Sequence, residues 1–369
     1  MTNRLPQLAR RHLIGLMAGP LLLGRHGAAH AAASPAPTAA APSATVPAVP
    51  FPEGATILVA GPDGGHLGRW GDTVASALDA TLPPGTRVHT TCTGGIDGVT
   101  GANQFEARVP PDGATVLLAP GAAALDWLVG DPRAHFDAEH WVPVMAGVTP
   151  AIVMARPEVR LGPDRPIRVA ASGPVGPQLP VLLGLDLRGA PVVPVLDLVE
   201  QDAARAAFAA GKTDVVLAWG QNVPQQVEAL REAGGQTLFG LGALDANGVG
   251  GRDLAFPDVP TLVELHVALH GTKPSGTRFD AWRAAAATTR LEFGLVLPRL
   301  TPAAMVAFWR RAASHAAEQP EVQTLATAVA VRPLDGVAAA TAMTGVAADS
   351  ATLLELRGWL ATRFNWRPT

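Results

Sequence analysis

The chain has 369 residues, of which 48% are hydrophobic and 16% charged, enough to bury the cores of a two-domain protein. Its formal net charge of −3 provides no basic surface for nucleic acid, and we expect no such partner. The single cysteine, Cys92, excludes an internal disulfide, and its neighbours Thr91 and Thr93 supply no base, so we expect a half-buried structural residue.

Residues 1–31 are typical of an export signal. Arg10 and Arg11 precede an apolar run, Leu13–Leu23, that is too short to span a bilayer. Ala29-His30-Ala31 fits the small-residue pattern of a cleavage site. The paired arginines fit a twin-arginine signal and an ordinary secretory signal equally well, so we expect a periplasmic protein exported by either route.

Residues 32–50 are rich in Ala, Pro and Ser and almost uncharged. Such a composition cannot bury a core, so it predicts a disordered tether between the leader and the folded part of the chain.

Two units of strand, glycine-rich loop and helix follow the tether. The first has the strand Ala55–Ala60, the loop Gly61–Gly65 and a helix over Leu67–Leu78, and the second begins with the strand Arg87–Thr91. A third strand, Ala114–Ala119, completes a sheet that we expect to be open and largely parallel. The loops of such sheets gather at the carboxyl ends of the strands and bind ligands there. They offer mainly backbone N–H groups here, which favours a receptor over an enzyme.

The apolar run Trp141–Arg156 is broken by Pro143 and Pro150, and its second half predicts a strand that leaves the first lobe. A second set of strands follows, at Ile167–Ala171, Pro191–Leu196, Val215–Ala218 and Thr237–Leu241. An Ala-rich helix over Glu200–Ala210 ends at Gly211.

The strand Phe293–Leu297 predicts a return to the first lobe. Thr301 is the predicted cap of the next helix, with Pro302 at its first position, and a long helix is expected over Ala347–Phe364. This order predicts an α/β protein with a first lobe of residues 51–150 and 290–369 and a second lobe of residues 151–289. Two crossings between the lobes make a hinged clamshell that closes around a ligand.

Several different short motifs occur in a fixed order along the chain. They are Gly94-Gly95, Gly98, Gly101-Ala102, Pro111-Asp112-Gly113, Ser172-Gly173, Gly211–Asp214, Phe256–Thr261, Phe293–Pro298 and Gln319–Val322. In this order, from about residue 54 to the C-terminus, the chain resembles the Bug-type receptors, the extracytoplasmic solute-binding proteins of tripartite tricarboxylate transporters. The resemblance implies a type II, Venus-flytrap fold with a cleft between two lobes, a small-molecule ligand and the transporter's membrane components as partners. We expect a monomer without catalytic activity, cofactor or metal.

The resemblance also implies a carboxylate-binding loop at Gly64, Gly65 and His66, where free N–H groups at a helix N-terminus bind anions. Asp63 departs from the family pattern and brings a negative charge to this loop. We expect Gly65 to be intolerant of a side chain, either because its N–H meets the ligand or because its φ is positive. The alternative is that the loop is a structural turn and helix cap.

Gly121 and Ala122 occupy a second ligand loop of the first lobe, where only backbone donors remain because Ala122 lacks a hydroxyl.

The second lobe is expected to contribute Ser172, Gly173, Asp197, Trp219 and Asn222 to the cleft. Ser172 would donate a hydrogen bond to the ligand, or else cap a helix. Trp219 would stack on a flat ligand, or else belong to the core.

Other chemistries find weaker support in the sequence. The first glycine loop has the spacing G-x-x-G-G-x-x-G instead of G-x-G-x-x-G, and no acid ends the next strand, which disfavours a dinucleotide. His266 and His270 share a helix face near Glu264, but no Glu follows the first histidine as a zinc protease motif requires. The sequence thus favours a periplasmic receptor for a small organic acid or a related metabolite. The alternatives are an exported oxidoreductase or hydrolase, and a receptor-like protein used for sensing.

Overall fold

A computed structural model describes residues 54–82, 85–244 and 250–367. The predicted leader and tether, residues 1–31 and 32–50, lie outside these ranges. Within the described ranges, no helix combines the length and the apolar character needed to cross a membrane.

The described chain alternates strands and helices. The strands are β1 (Gly54–Val59), β2 (Arg87–Cys92), β3 (Thr115–Ala119), β4 (Val142–Val148), β5 (Ile152–Ala155), β6 (Ile167–Ala170), β7 (Val192–Val195), β8 (Val215–Ala218), β9 (Gln236–Gly240), β10 (Ala243–Leu244), β11 (Gly250–Gly251), β12 (Leu291–Leu297) and β13 (Arg332–Asp335). The helices are α1 (His66–Asp79), α2 (Val99–Arg108), α3 (Gly121–Val129), α4 (Leu179–Leu187), α5 (Gln201–Ala209), α6 (Val223–Glu232), α7 (Leu262–His270), α8 (Thr277–Arg290), α9 (Ala303–Ala317), α10 (Pro320–Val329), α11 (Gly336–Thr344) and α12 (Ser350–Phe364).

The first lobe is built on a six-stranded sheet in the order β13-β4-β12-β3-β1-β2. The strands β1, β2 and β3 are parallel, but β12 is antiparallel to both β3 and β4, and β13 is antiparallel to β4. The sheet is therefore mixed, whereas the sequence predicted a largely parallel one. The reversal arises because β12 enters from the second lobe and so runs against the strands of the first.

The second lobe is built on a five-stranded sheet in the order β7-β6-β8-β5-β9. The strands β6, β7 and β8 are parallel, and β5 runs antiparallel to its neighbours β8 and β9. The carboxyl ends of the parallel strands again share one edge, so the loops after β6, β7 and β8 lie together.

Two short crossings connect the sheets. The first runs from β4 to β5 through Thr149, Pro150 and Ala151, and the second is the junction of α8 and β12 at Arg290 and Leu291. The two are hydrogen-bonded side by side, because the backbone N–H of Thr149 donates to the carbonyl of Arg290 at 2.8 Å.

The hydrophobic core is organised differently on the two faces of the molecule. On one face a single continuous cluster includes residues of both sheets, such as Leu117 of β3 and Val153 of β5. On the other face each lobe has its own cluster, with Trp70 and Trp309 central to the first lobe and Phe208 to the second. The helix α8 packs against α3, α4 and α12, which places it in the shared cluster.

One strand was not predicted and one local prediction is wrong. The second half of Trp141–Arg156 forms β5 as predicted, but the first half forms β4 as well, because the register shift between β4 and β12 tolerates Pro143 within a paired strand. Thr301 does not cap α9, whose N-cap is Pro302, because the Thr301 hydroxyl donates instead to the carbonyl of Pro298 at 2.9 Å.

Candidate functional site

The loop after β1 brings Gly64, Gly65 and His66 to the edge of the first sheet that faces the second lobe. Gly64 has a φ of +69°, the left-handed conformation that favours glycine. Gly65 is the N-cap of α1, and His66 is the first residue of that helix, with its side chain 49% exposed. The backbone N–H of Gly65 donates to the carbonyl of Pro62 at 3.3 Å, so the N–H groups without a partner within the helix are those of the first turn that follows Gly65.

Gly65 is constrained by space and not by its backbone angles. Its φ is −71°, so the predicted positive φ is wrong for this residue and belongs to Gly64. A Cβ at Gly65 would lie 3.1 Å from the carbonyl oxygen of Pro62, which is tight.

Gly121 and Ala122 are the first two residues of α3 and not part of a longer loop. Gly121 is buried against the second crossing, where a Cβ would overlap the carbonyl oxygen of Thr288 and lie 2.5 Å from that of Leu291. Its lack of a side chain is therefore explained by packing, and Ala122 beside it is half-buried.

Ser172 and Gly173 lie half-buried in the loop after β6. The Ser172 hydroxyl donates to Oε1 of Gln178 at 3.1 Å, and its backbone N–H lies 3.3 Å from the same atom. The hydroxyl proton is therefore used within the loop, while the hydroxyl oxygen can still accept a hydrogen bond from a ligand.

Trp219 follows β8, and its backbone is fixed by side chains. Its carbonyl accepts from Nε2 of Gln201 and of Gln226, both at 2.8 Å, and its ring packs at the margin of the shared core cluster. Asn222 has a φ of +58°, and its backbone N–H donates to the carbonyl of Val329 at 2.9 Å. Because Val329 ends α10 in the first lobe, this loop spans from one lobe to the other.

Asp197 lies exposed after β7 with a φ of +66°. None of the side-chain hydrogen bonds or ion pairs described for the other predicted site residues involves Asp197.

Glu292 is a cleft residue that the sequence analysis missed. It is nearly buried, with its side chain 6% exposed, and its Oε1 accepts from Nε2 of Gln221 at 2.6 Å. Nε2 of His66 lies 3.7 Å from the same oxygen. The glycine loop, the loop after β8 and the second crossing therefore converge on one carboxylate. The sequence does contain a signal, since Glu292 is the one charged residue of the apolar strand Leu291–Leu297.

Cys92 ends β2, half-buried, at the same edge of the sheet. Burial raises the pKa of its thiol, and the charges of Asp63 and Asp72 raise it further. A nucleophilic cysteine requires a lowered pKa, so this environment favours a structural role.

His266 and His270 contact each other on α7, with ring centroids 4.4 Å apart. Burial lowers the pKa of His266, as do the charges of His270 and Arg188. No group of three or more potential metal ligands occurs among the described residues.

Comparison with known proteins gives a match only at the level of structure. No protein-family model matches the chain, and neither does any curated protein. A solved TctC solute-binding protein from Polaromonas, without ligand, is 15% identical and has a TM-score of 0.61 over 85% of this chain and 98% of that one. An R. palustris protein with adipate is 15% identical, with a TM-score of 0.48 over 85% of this chain and 98% of that one. MatC from Rhodopseudomonas palustris, with bound malate, is 20% identical, with a TM-score of 0.47 over 84% of this chain and 100% of that one.

At 15% identity the Polaromonas likeness shows the fold, and the two lower scores add no argument. The fold is that of a two-lobed α/β solute-binding protein, as the sequence predicted. The resemblance to Bug-type receptors is thus confirmed at the level of architecture.

Proposed function

We propose that the protein is an exported receptor that captures a small organic acid or a related metabolite for a tripartite tricarboxylate-type transporter. The observation that carries this proposal is the convergence of His66, Gln221 and Glu292, which come from both lobes and one crossing. Such convergence creates a site whose geometry depends on how the lobes are arranged. A receptor of this kind binds by closing and releases by opening.

The ligand is held mainly by fixed hydrogen-bond donors. The first turn of α1, which begins at His66, offers backbone N–H groups, and the loops after β6 and β8 offer further polar groups from the second lobe. Hydrogen bonds contribute about 0.5–1.5 kcal/mol each, and about 1.5–3 kcal/mol each where one partner is charged. Three or four of them are consistent with micromolar affinity, about −8 kcal/mol, once the cost of ordering both partners is subtracted.

The protein acts in the periplasm, as a monomer that presents its ligand to membrane components. Support comes from the order of basic, apolar and small residues in residues 1–31 and from the Ala-, Pro- and Ser-rich composition of residues 32–50. It acts by binding and release without catalysis, and the raised pKa of Cys92, which disfavours a nucleophilic thiolate, is consistent with this.

The test is a thermal-shift screen of the mature protein against organic acids, amino acids and their amides. A ligand should raise the unfolding temperature and return chemically unchanged when recovered and analysed by mass spectrometry. Cell fractionation should place the protein in the periplasm. Steady turnover of a bound compound would instead establish an enzyme.

A further inference from the structure

We propose that the carboxylate of the ligand binds between Arg290 and Arg332, in a pocket at the crossings, and not at the glycine loop. This inference rests on the proposed receptor function and names the pocket that recognises the acid. The crossing pocket, as we call it, has a volume of about 290 Å³. Its walls include Thr149, Asp253, Arg290, Ala330 and Arg332.

The crossing pocket lies between the lobes. The first lobe supplies the end of β4, part of α10 and the start of β13, and the second supplies Asp253–Ala255. Both crossings contribute as well, through Thr149 and Arg290. The neighbouring carbonyl of Val329 accepts the N–H of Asn222 from the second lobe. A molecule in this pocket therefore contacts both lobes, as a ligand that stabilises their closure must.

The charge of the crossing pocket favours an anion. Among its described lining residues two arginines, Arg290 and Arg332, oppose one acid, Asp253. The Asp253 carboxylate binds Nη2 of Arg290 at 2.9 Å, while Arg332 is exposed and has no ion pair among the described residues. One positive charge is left over for a ligand.

Arg290 is an unusual residue to bury. Its side chain is only 9% exposed, and its Nε has no hydrogen-bond partner within the described structure. Burial lowers the pKa of its guanidinium, Asp253 opposes this effect, and the like charge of Arg332 adds to it. A carboxylate placed between the two arginines would oppose both effects, and a planar guanidinium is well suited to hold one.

The charges around the glycine loop, by contrast, disfavour an anion. It faces the buried carboxylate of Glu292 and carries Asp63. An anionic group there meets repulsion in a site with reduced screening by water. We therefore expect this loop to receive a hydroxyl, amide or amine of the ligand, which can donate to Glu292.

The experiment uses the mature protein, mono- and dicarboxylates of two to six carbons, and the amide of each acid. Binding is measured by calorimetry. We expect acids to bind and the matched amides to bind more weakly. Arg332→Gln should weaken acid binding about tenfold to a hundredfold, because it removes a charge-assisted contact from an exposed side chain with little cost to folding. Arg311→Gln is the control, since it removes the same charge from an exposed position on α9 outside the pocket.

A second variant keeps the test independent of any loss of folding. Asp253→Asn removes the acid that competes for Arg290, so a carboxylate should bind this variant more tightly and stabilise it by a larger thermal shift. Acid binding that is unchanged in both variants but lost in Gly65→Val would overturn the inference and leave the receptor function intact. Binding of amides alone would do the same. Failure of every compound to bind would overturn the inference and count against the receptor function as well.

Discussion

Gln221 and Glu292 join the two lobes, with Nε2 of Gln221 2.6 Å from Oε1 of Glu292. The amide belongs to the loop after β8, and the carboxylate belongs to the second residue of the strand β12, which returns to the first lobe. The Glu292 side chain is nearly buried and Gln221 is half-buried, so the bond contributes to the relative position of the lobes and not only to local order.

Gln221→Glu should force the lobes apart. It replaces an attractive pair by two facing carboxylates, whereas Gln221→Ala only removes the bond and serves as the matched control. Solution scattering of the unliganded protein at pH 8 should give the largest radius of gyration for Gln221→Glu. Equal radii for the original protein and both variants would show that this contact does not set the lobe arrangement.

Gly65→Val should abolish ligand binding without unfolding the protein. The added side chain would press on the carbonyl of Pro62 and cover the N–H groups of the first turn of α1. Far-ultraviolet circular dichroism checks the fold and calorimetry the affinity. Ser172→Ala is expected to cost less, about 1–2 kcal/mol, because it removes one hydroxyl. If Gly65→Val binds normally, the loop is a structural turn.

Gly121→Ala should destabilise the protein by about 2–4 kcal/mol, the range for overpacking and backbone displacement at a buried site. Its Cβ has no room between the carbonyl oxygens of Thr288 and Leu291. The neighbouring substitution Ala122→Ser, at a half-buried position, should change stability by less than about 1 kcal/mol. Urea unfolding measures both, and similar losses for the two variants would contradict the packing argument.

Asp126 should make stability depend on pH. Burial raises the pKa of its carboxyl to about 7, with further increases from the charges of Asp131 and Asp97 and a smaller opposing effect of Arg133. The folded protein therefore holds a proton that the unfolded chain releases near pH 3.8. The corresponding stability is present at low pH and is lost as the pH rises toward and through about 7.

Asp126→Asn removes this titration. The variant should be more stable than the original protein by about 1–3 kcal/mol at pH 8, with a much smaller difference at pH 4. Chemical unfolding at several pH values measures the effect. A difference that is the same at both pH values would mean that the ionisation of Asp126 is not responsible.

Local patterns predicted most of the elements, because strand and helix signals depend on near neighbours. Val215–Ala218 and the glycine-ended helix before it lie where the sequence placed them. The failures involve distant partners. Pro143 is tolerated in β4 only because of a register shift against β12, and Glu292 meets Gln221 from 71 positions away. Neither pairing leaves a periodic trace in the sequence.

The candidate site was predicted in part for the same reason. Glycines such as Gly64 and Gly65 mark a loop through their own backbone preferences, so the sequence could identify them. Gly121 was also identified, but its contacts with the second crossing show a packing reason that no local pattern contains. The pairing of Arg290 with Asp253 likewise depends on how the crossings fold back on the second lobe.

The hydrophobic core is continuous on one face of the molecule and divided on the other. On one face a single hydrophobic cluster, the shared cluster, runs through both sheets, and on the other face each lobe has a separate cluster. Separating the residues of the shared cluster would expose apolar surface, so the lobes should open by a rotation that leaves the shared cluster intact. Solute should therefore enter and leave from one direction only. A membrane partner that receives the solute would have to meet the protein on the face that has two separate clusters. This requirement limits how the two proteins can be oriented during transfer.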